Sequence, residues 1–303
     1  MNSKKSVIYV LTAAILWGCM GILVRTMSEG GFNSLEVTAF RSFVTTVCMF
    51  VWMFIKNHKG LKIKIKDLWC FIGTGILSVT FFNVCYFSCM KYTTLSVAAI
   101  LLYTAPSFVM VMSSFLFKEA ITKKKLIALV LAFAGCVLVS GGFTGDSISA
   151  KGLLLGLGAG FGYGLYSIFG KYALQRGYST YTITTYTFLF ALVGTMPFMK
   201  PEHVVHNLAG WKISGILFAL VMAILTTVVA YLLYTKGLQG MESGKAAIVA
   251  SVEPVMAAVV GTLLYKERMQ IGGVAGMMLV LLSCIVIGKD DKPKENDGSK
   301  GGF

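Results

Sequence analysis

The sequence predicts an all-α integral membrane protein with ten transmembrane helices arranged as two inverted five-helix repeats. Three observations predict this. The 303-residue chain is 56% hydrophobic and only 13% charged, with a mean hydropathy of +0.76, whereas a soluble domain carries charge on about a quarter of its residues. Ten apolar stretches follow one another with short connections, each near the roughly 20 residues that a helix needs to cross a bilayer core of about 30 Å. The chain also resembles itself at a shift of 146–148 residues. So few charges cannot cover a water-exposed surface, so most of the surface must face lipid.

In chain order the spans are 6–27, 35–55, 67–90, 95–117, 124–142, 151–171, 179–199, 212–235, 243–265 and 271–288. The first follows Lys4 and Lys5. It is longer than a secretory apolar region of roughly 7–15 residues and has no small-residue cleavage site before Ser28, so it reads as a retained membrane helix. Residues 289–303, KDDKPKENDGSKGGF, have no apolar content to bury and read as a disordered tail. The division is then a first repeat over 1–142, a second over 143–288 and the tail over 289–303.

The formal net charge is +14, but the basic residues sit in short runs between apolar segments rather than interleaved with aromatics. That pattern specifies membrane topology, not nucleic-acid binding. With both termini in the cytoplasm, 19 Lys and Arg fall inside, 7 fall outside, and Arg41 lies within a span. The bias sets both termini in the cytoplasm.

The internal match recurs in several spans. At a shift of 148, Phe117-Lys118-Glu119 falls on Tyr265-Lys266-Glu267, Ala98-Ala99-Ile100 on Ala246-Ala247-Ile248, and Pro106 on Pro254. Cys136-Val137-Leu138-Val139 likewise falls on Cys284-Ile285-Val286-Ile287. At 146, Trp17-Gly18 falls on Tyr163-Gly164 and Arg25 on Lys171. An odd number of spans per half means that the halves cross in opposite senses, a frequent build among secondary transporters. Pro106 and Pro254 break corresponding spans, and in hydrocarbon such a break needs a protein or cavity environment for the freed carbonyls of Leu102 and Ala250. They mark either a central site or packing kinks.

This ordered set resembles the EamA-type transporters of the drug/metabolite transporter superfamily: Trp17-Gly18, Arg41, Pro106 with Lys118-Glu119, and Glu253-Pro254 with Lys266-Glu267. The resemblance covers roughly 6–288. It implies a bacterial plasma-membrane permease, usually an exporter of amino acids or similar small metabolites, with a cavity between the halves. The first half departs from the pattern, because Ala105 stands where the second half has Glu253.

Ionisable groups inside a span are costly unless they face protein or water. Glu253 reads as a proton carrier for coupling, or as a neutral acid donating to the carbonyl that Pro254 frees. Arg41 binds a substrate carboxylate, pairs with Glu253, or snorkels outward. Asn83 and Tyr86 fall on Tyr231 and Tyr234 at the 148 shift, each pair at i,i+3 on one helix face. With Tyr103, Trp17, Tyr163 and Tyr166 they read as a cavity wall that stacks on a small amphipathic solute, or as interfacial anchors. Tyr103 and Tyr234 suit the anchoring role.

Span six carries Gly152, Gly156, Gly158, Gly160, Gly162 and Gly164. The spacing suits close helix packing and lacks the pattern and preceding strand of a nucleotide loop. All seven cysteines fall in apolar spans, which needs no disulfide or metal. His203 and His206 lack the further ligands that a zinc site requires. No nucleophile–base or paired-carboxylate constellation points to an enzyme, and no cofactor is implied. The functional expectation is a secondary transporter of small metabolites that exports them by alternating access coupled to protons; a passive facilitator or channel is the alternative, and a membrane-embedded enzyme fits less well.

Overall fold

The computed structural model describes residues 3–141, 149–267 and 271–288, and among them every regular element is helical. Eight helices are long and apolar enough to cross a membrane, and a bent pair makes a ninth if counted as one span. In chain order the helices are α1 (Ser3–Glu29), α2 (Ser34–Lys56), α3 (Ile65–Cys89), α4 (Leu95–Phe117), α5 (Lys123–Val139) and α6 (Ala150–Gln175). They continue with α7 (Thr180–Phe198), α8 (Pro201–Gly210), α9 (Ile213–Gln239), α10 (Ser243–Tyr265) and α11 (Ile271–Gly288).

Two of the ten expected spans are not among those eight helices. The 124–142 stretch forms the 17-residue α5. The 179–199 stretch forms α7, which narrows to a 3₁₀ turn at Met196–Phe198 and meets α8 at 101°. Pro197 and Pro201 explain the corner, since neither can donate the backbone hydrogen bond that a continuing helix needs. Segment 289–303 lies outside the described residues.

Side-chain caps set several helix starts. Asn33 accepts from the N–H of Leu35 and Glu36, and Glu36 accepts from the Asn33 N–H at 2.9 Å, a reciprocal cap opening α2. Thr94, Thr122, Ser149 and Ser179 cap α4, α5, α6 and α7 in the simpler one-way manner. Glycine lets α6 lie close to two neighbours at once. A Cβ at Gly156 or Gly160 would strike Leu101 or Thr104 of α4, and one at Gly162 would strike Phe81 of α3. The packing reading of this stripe is what the structure shows. Gly135 and Gly276 bring α5 and α11 together through their backbones.

Cross-links between elements sort the chain ends onto two faces. On the face where α1 begins, here the near face, Gly237 abuts Ser6, Thr182 donates to Gly60 O, and Lys125 pairs with Glu242. On the far face, Asn207 donates to Gly31 O and Arg25 pairs with Glu267. There too, His203 Nδ1 on α8 lies 2.8 Å from Glu36 Oε1.

Both α4 and α10 are broken in mid-course. Helix runs over Leu95–Leu102 and resumes at Ala105–Phe117, and correspondingly over Ser243–Ala250 and Glu253–Tyr265. The breaks fall just before Pro106 and Pro254, not on them. Each proline occupies the first turn of the resumed helix, where no intrahelical N–H is required and its fixed φ is already helical. The breaks themselves are tight turns: Thr104 N–H reaches Leu101 O and Ser251 N–H reaches Ile248 O.

Candidate functional site

The two breaks flank a cavity of about 640 Å³. Nine of the residues singled out in the sequence line it: Trp17, Arg41, Asn83, Tyr86, Tyr103, Tyr163, Tyr231, Glu253 and Pro254. Tyr166 and Tyr234 do not. They sit beneath its floor, where Tyr166 OH is 2.6 Å from Thr235 Oγ1 and Tyr234 OH is 2.7 Å from Ser167 Oγ. Pro106 is buried but lies outside the lining.

The floor is aromatic. The Trp17 ring lies 5.1 Å from that of Tyr231, 5.0 Å from Tyr234 and 6.1 Å from Tyr163, and Tyr231 is wedged edge-on between Phe188 and Tyr166. Such edge-to-face geometry suits ring quadrupoles and holds each ring rigidly. The walls thus offer flat apolar surface with hydroxyl tips.

Two ionisable groups face this surface. Glu253, at the start of the resumed helix of α10, accepts a hydrogen bond from Tyr163 OH at 2.8 Å. Arg41 is only 6% exposed, so it does not snorkel to the surface. Its Nη1 meets Met20 Sδ at 3.6 Å, a weak acceptor, and its Nε has no hydrogen-bond partner. Arg41 and Glu253 line the same cavity without an ion pair between them. The indole N–H of Trp17 is likewise unpartnered. Buried donors left unsatisfied are costly, and both belong to residues of the cavity wall. Asn83 is spoken for: its Nδ2 donates to Val79 O at 2.7 Å, and Thr38 donates to its Oδ1 at 3.2 Å.

The cavity reaches the far face, where Ser96, Ser140, Arg25 and Glu267 line it. Towards the near face it is sealed. Glu119 accepts from the backbone N–H of Ser243 at 2.8 Å and Gly244 at 3.1 Å, at the N-terminus of α10. Lys125 reaches Glu242 at 2.7 Å, and Lys171 donates to the carbonyls of Leu238 and Met241 at 3.0 and 2.7 Å.

Sequence reasoning missed Thr38, Met20, Phe82 and Ser96 as lining residues, and also the docking of Glu119. Thr38 stands one turn before Arg41, which is the signal that was present. Gly18 also earns its place by geometry, since a Cβ there would run into the backbone of Glu253 and Ala257 beside the break.

A model of the EamA-like transporter family matches residues 4–141 and again 150–289. The chain belongs to the EamA-like transporter family. Among its relatives, an uncharacterized transporter of Archaeoglobus fulgidus is 25% identical over 94% of this chain and 98% of its own length. The uncharacterized transporter YwfM of Bacillus subtilis is 23% identical over 92% of each chain. The uncharacterized inner membrane transporter YicL of Salmonella typhimurium is 22% identical over 96% of this chain and 97% of its own. One solved crystal structure superposes with a TM-score of 0.75 at 15% identity, covering 94% of this chain and 96% of that one, a likeness of fold. Membership of this family agrees with the resemblance that the sequence motifs carried.

Proposed function

We propose that this EamA-like chain is a secondary transporter that exports small metabolites, amino acids or related compounds, by alternating access between two inverted five-helix halves, driven by proton entry. The observation that carries the reading is the cavity itself. It reaches mid-helix depth between two broken helices, is open at the far face and is sealed at the near face. A passive pore has no need of a seal on one side only.

A difference between matching motifs supports the alternation. Lys118 and Lys266 both adopt φ +55°, and the N–H groups of Glu119 and Glu267 bond to Ser113 O and Gly261 O, residues 148 apart. The local folds are the same, yet the carboxylates differ. Glu119 docks on the start of α10, while Glu267 pairs with Arg25, and both partners of that pair are about half exposed, at 47% and 51%. The counterparts of Ser243 and Gly244 in the first half are Leu95 and Ser96, at the rim beside Glu267. Closing the far face would seat Glu267 on that helix start while Glu119 leaves its own.

Arg41 and Glu253 offer opposite charges to a solute carrying a carboxylate and an amine, with aromatic walls for its apolar part. Glu253 is where a proton would enter the cycle. With both termini in the cytoplasm of a bacterial cell, the cavity opens outward. The test is uphill flux in proteoliposomes, using solutes that accumulate in cells lacking the protein; no gradient-driven movement of any of them removes the reading. Thiol reagents should label Lys62→Cys from the cytoplasm and Lys91→Cys from outside, and the reverse pattern would invert the assigned orientation.

A further inference from the structure

A second cavity, of about 260 Å³, lies on the near face between the loop joining α2 to α3 and the turn joining α6 to α7. Four cations line it: Lys59, Lys62, Lys64 and Arg176. Only Arg176 has a carboxylate partner, Asp67, and no acid among the described residues pairs with the three lysines. Charge collected in a concave site focuses the field and draws anions. The start of α7 adds to it: Ser179 and Thr182 both line the cavity, and although the Ser179 side chain caps the Thr182 N–H, the positive end of the helix dipole lies on this side.

The frame is fixed by cross-links. Lys64 N–H donates to Tyr178 OH at 3.0 Å, Tyr178 OH donates to Asp67 at 2.8 Å, Thr182 OH donates to Gly60 O at 2.9 Å, and Tyr186 OH donates to Leu61 O at 2.6 Å. Four bonds hold a strand of loop rigidly against the turn opposite, so the lysine stems start from a set backbone. Gly177, at φ +84°, makes the turn that brings Arg176 to one wall and Ser179 to another. The cavity also sits at a boundary. Phe54, Ile55 and Ile65, flanking the loop, are exposed apolar side chains of the kind that face lipid tails.

We propose that this cavity is a binding site for a phosphate group. Charged N–H donors approaching from separate points of a strongly positive concavity, the ammoniums of Lys59, Lys62 and Lys64 and the Arg176 guanidinium, suit a tetrahedral anion with several acceptor oxygens better than a planar carboxylate. The source is either the headgroup of an anionic lipid in the adjoining leaflet, which basic pockets between helices at that level bind, or a free phosphate compound. Because the loop belongs to the first half and the turn to the second, an occupant ties the two halves together on this face. The proposal does not depend on which solute is transported.

The test uses the full-length protein in nanodiscs of phosphatidylcholine alone, with added phosphatidylglycerol, or with inorganic phosphate in the buffer. Acetylation of Lys59, Lys62 and Lys64, mapped by mass spectrometry, should fall with phosphatidylglycerol if the occupant is a lipid and with inorganic phosphate if it is free. Native mass spectrometry should show phosphatidylglycerol or phosphate retained about tenfold less by the Lys59→Gln/Lys62→Gln/Lys64→Gln variant, and unchanged by Lys292→Gln/Lys294→Gln. The three lysines are exposed, so the variant should fold. The absence of both lysine protection and a retention difference in every arm would overturn the site.

Discussion

The Glu119 carboxylate is seated 2.8 Å from the backbone N–H of Ser243, across 124 residues of chain. It closes one face of the molecule by satisfying donors at a helix start, where a negative charge is favoured. Glu119→Gln keeps the shape and removes the charge, at a cost of about 1–2 kcal/mol to the sealed state, or roughly a tenfold shift in the ratio of open to sealed forms. A thiol at Leu238→Cys, in a background without the seven native cysteines, should then react roughly tenfold faster. An unchanged rate would mean that Glu119 is not part of the seal.

The exchange of locks makes a second claim. If Glu267 docks on the start of α4 when the far face closes, Ser96→Cys and Glu267→Cys should cross-link under oxidation. Yield should rise with a transported solute and reverse with reductant. A pair that never cross-links, whatever solute is present, would leave Glu267 as a surface ion pair with Arg25, a kind of interaction worth at most about 1 kcal/mol.

Much of this was legible in the sequence, and what was not has identifiable causes. The repeated Lys-Glu motif could be read because each copy folds from local residues, Ser113 to Glu119 and Gly261 to Glu267. What each carboxylate touches could not, since the partners come from distant helices. The spacing of Tyr231 and Tyr234 placed both on one helix face, but not at what depth the cavity stops. It stops between them, because Ser167 approaches Tyr234 from α6. Arg41 illustrates the same limit. Its guanidinium lies against Met20 of α1, and nothing in the spacing of α2 alone separates a buried guanidinium from one reaching for the surface.

The prolines give a third prediction. Both sit where the helix resumes, so alanine there removes no clash and loses no bond. Pro106→Ala with Pro254→Ala should change stability by less than about 1 kcal/mol, seen as a near-constant melting temperature in detergent. Turnover should nevertheless fall, because alanine permits the helix to wind on through the break. Full turnover in the double variant would make both breaks packing features.

Arg41 should read the charge of the solute. Arg41→Met fills similar space and deletes the donors, so a solute carrying a carboxylate should lose affinity while its amide analogue is little affected. The comparison of half-saturation constants for the pair decides the matter. Equal losses for both would show that Arg41 shapes the cavity without touching the anion.

Glu253 carries the coupling claim, and its geometry sets how to test it. The carboxyl lies at the break of α10, against the cavity, with Tyr163 OH as its hydrogen-bonding neighbour. Being in the cavity wall, it can meet water from whichever face is open, which a group buried in packed protein cannot. A proton taken up from one face and released to the other ties solute movement to the proton gradient, provided that the protonated and ionised forms favour different steps. Glu253→Gln resembles the protonated form permanently, so it should still bind solute and exchange it across the membrane, yet build no gradient. Tyr163→Phe removes only the hydrogen bond, and should shift the pH dependence of uphill efflux while leaving it gradient-driven. Both variants belong in proteoliposomes with an imposed pH difference, with exchange and uphill movement followed separately. Undiminished uphill efflux in Glu253→Gln would take the residue out of the coupling step. Loss of exchange as well, in a protein that still folds, would give Glu253 a role in holding the break of α10 instead.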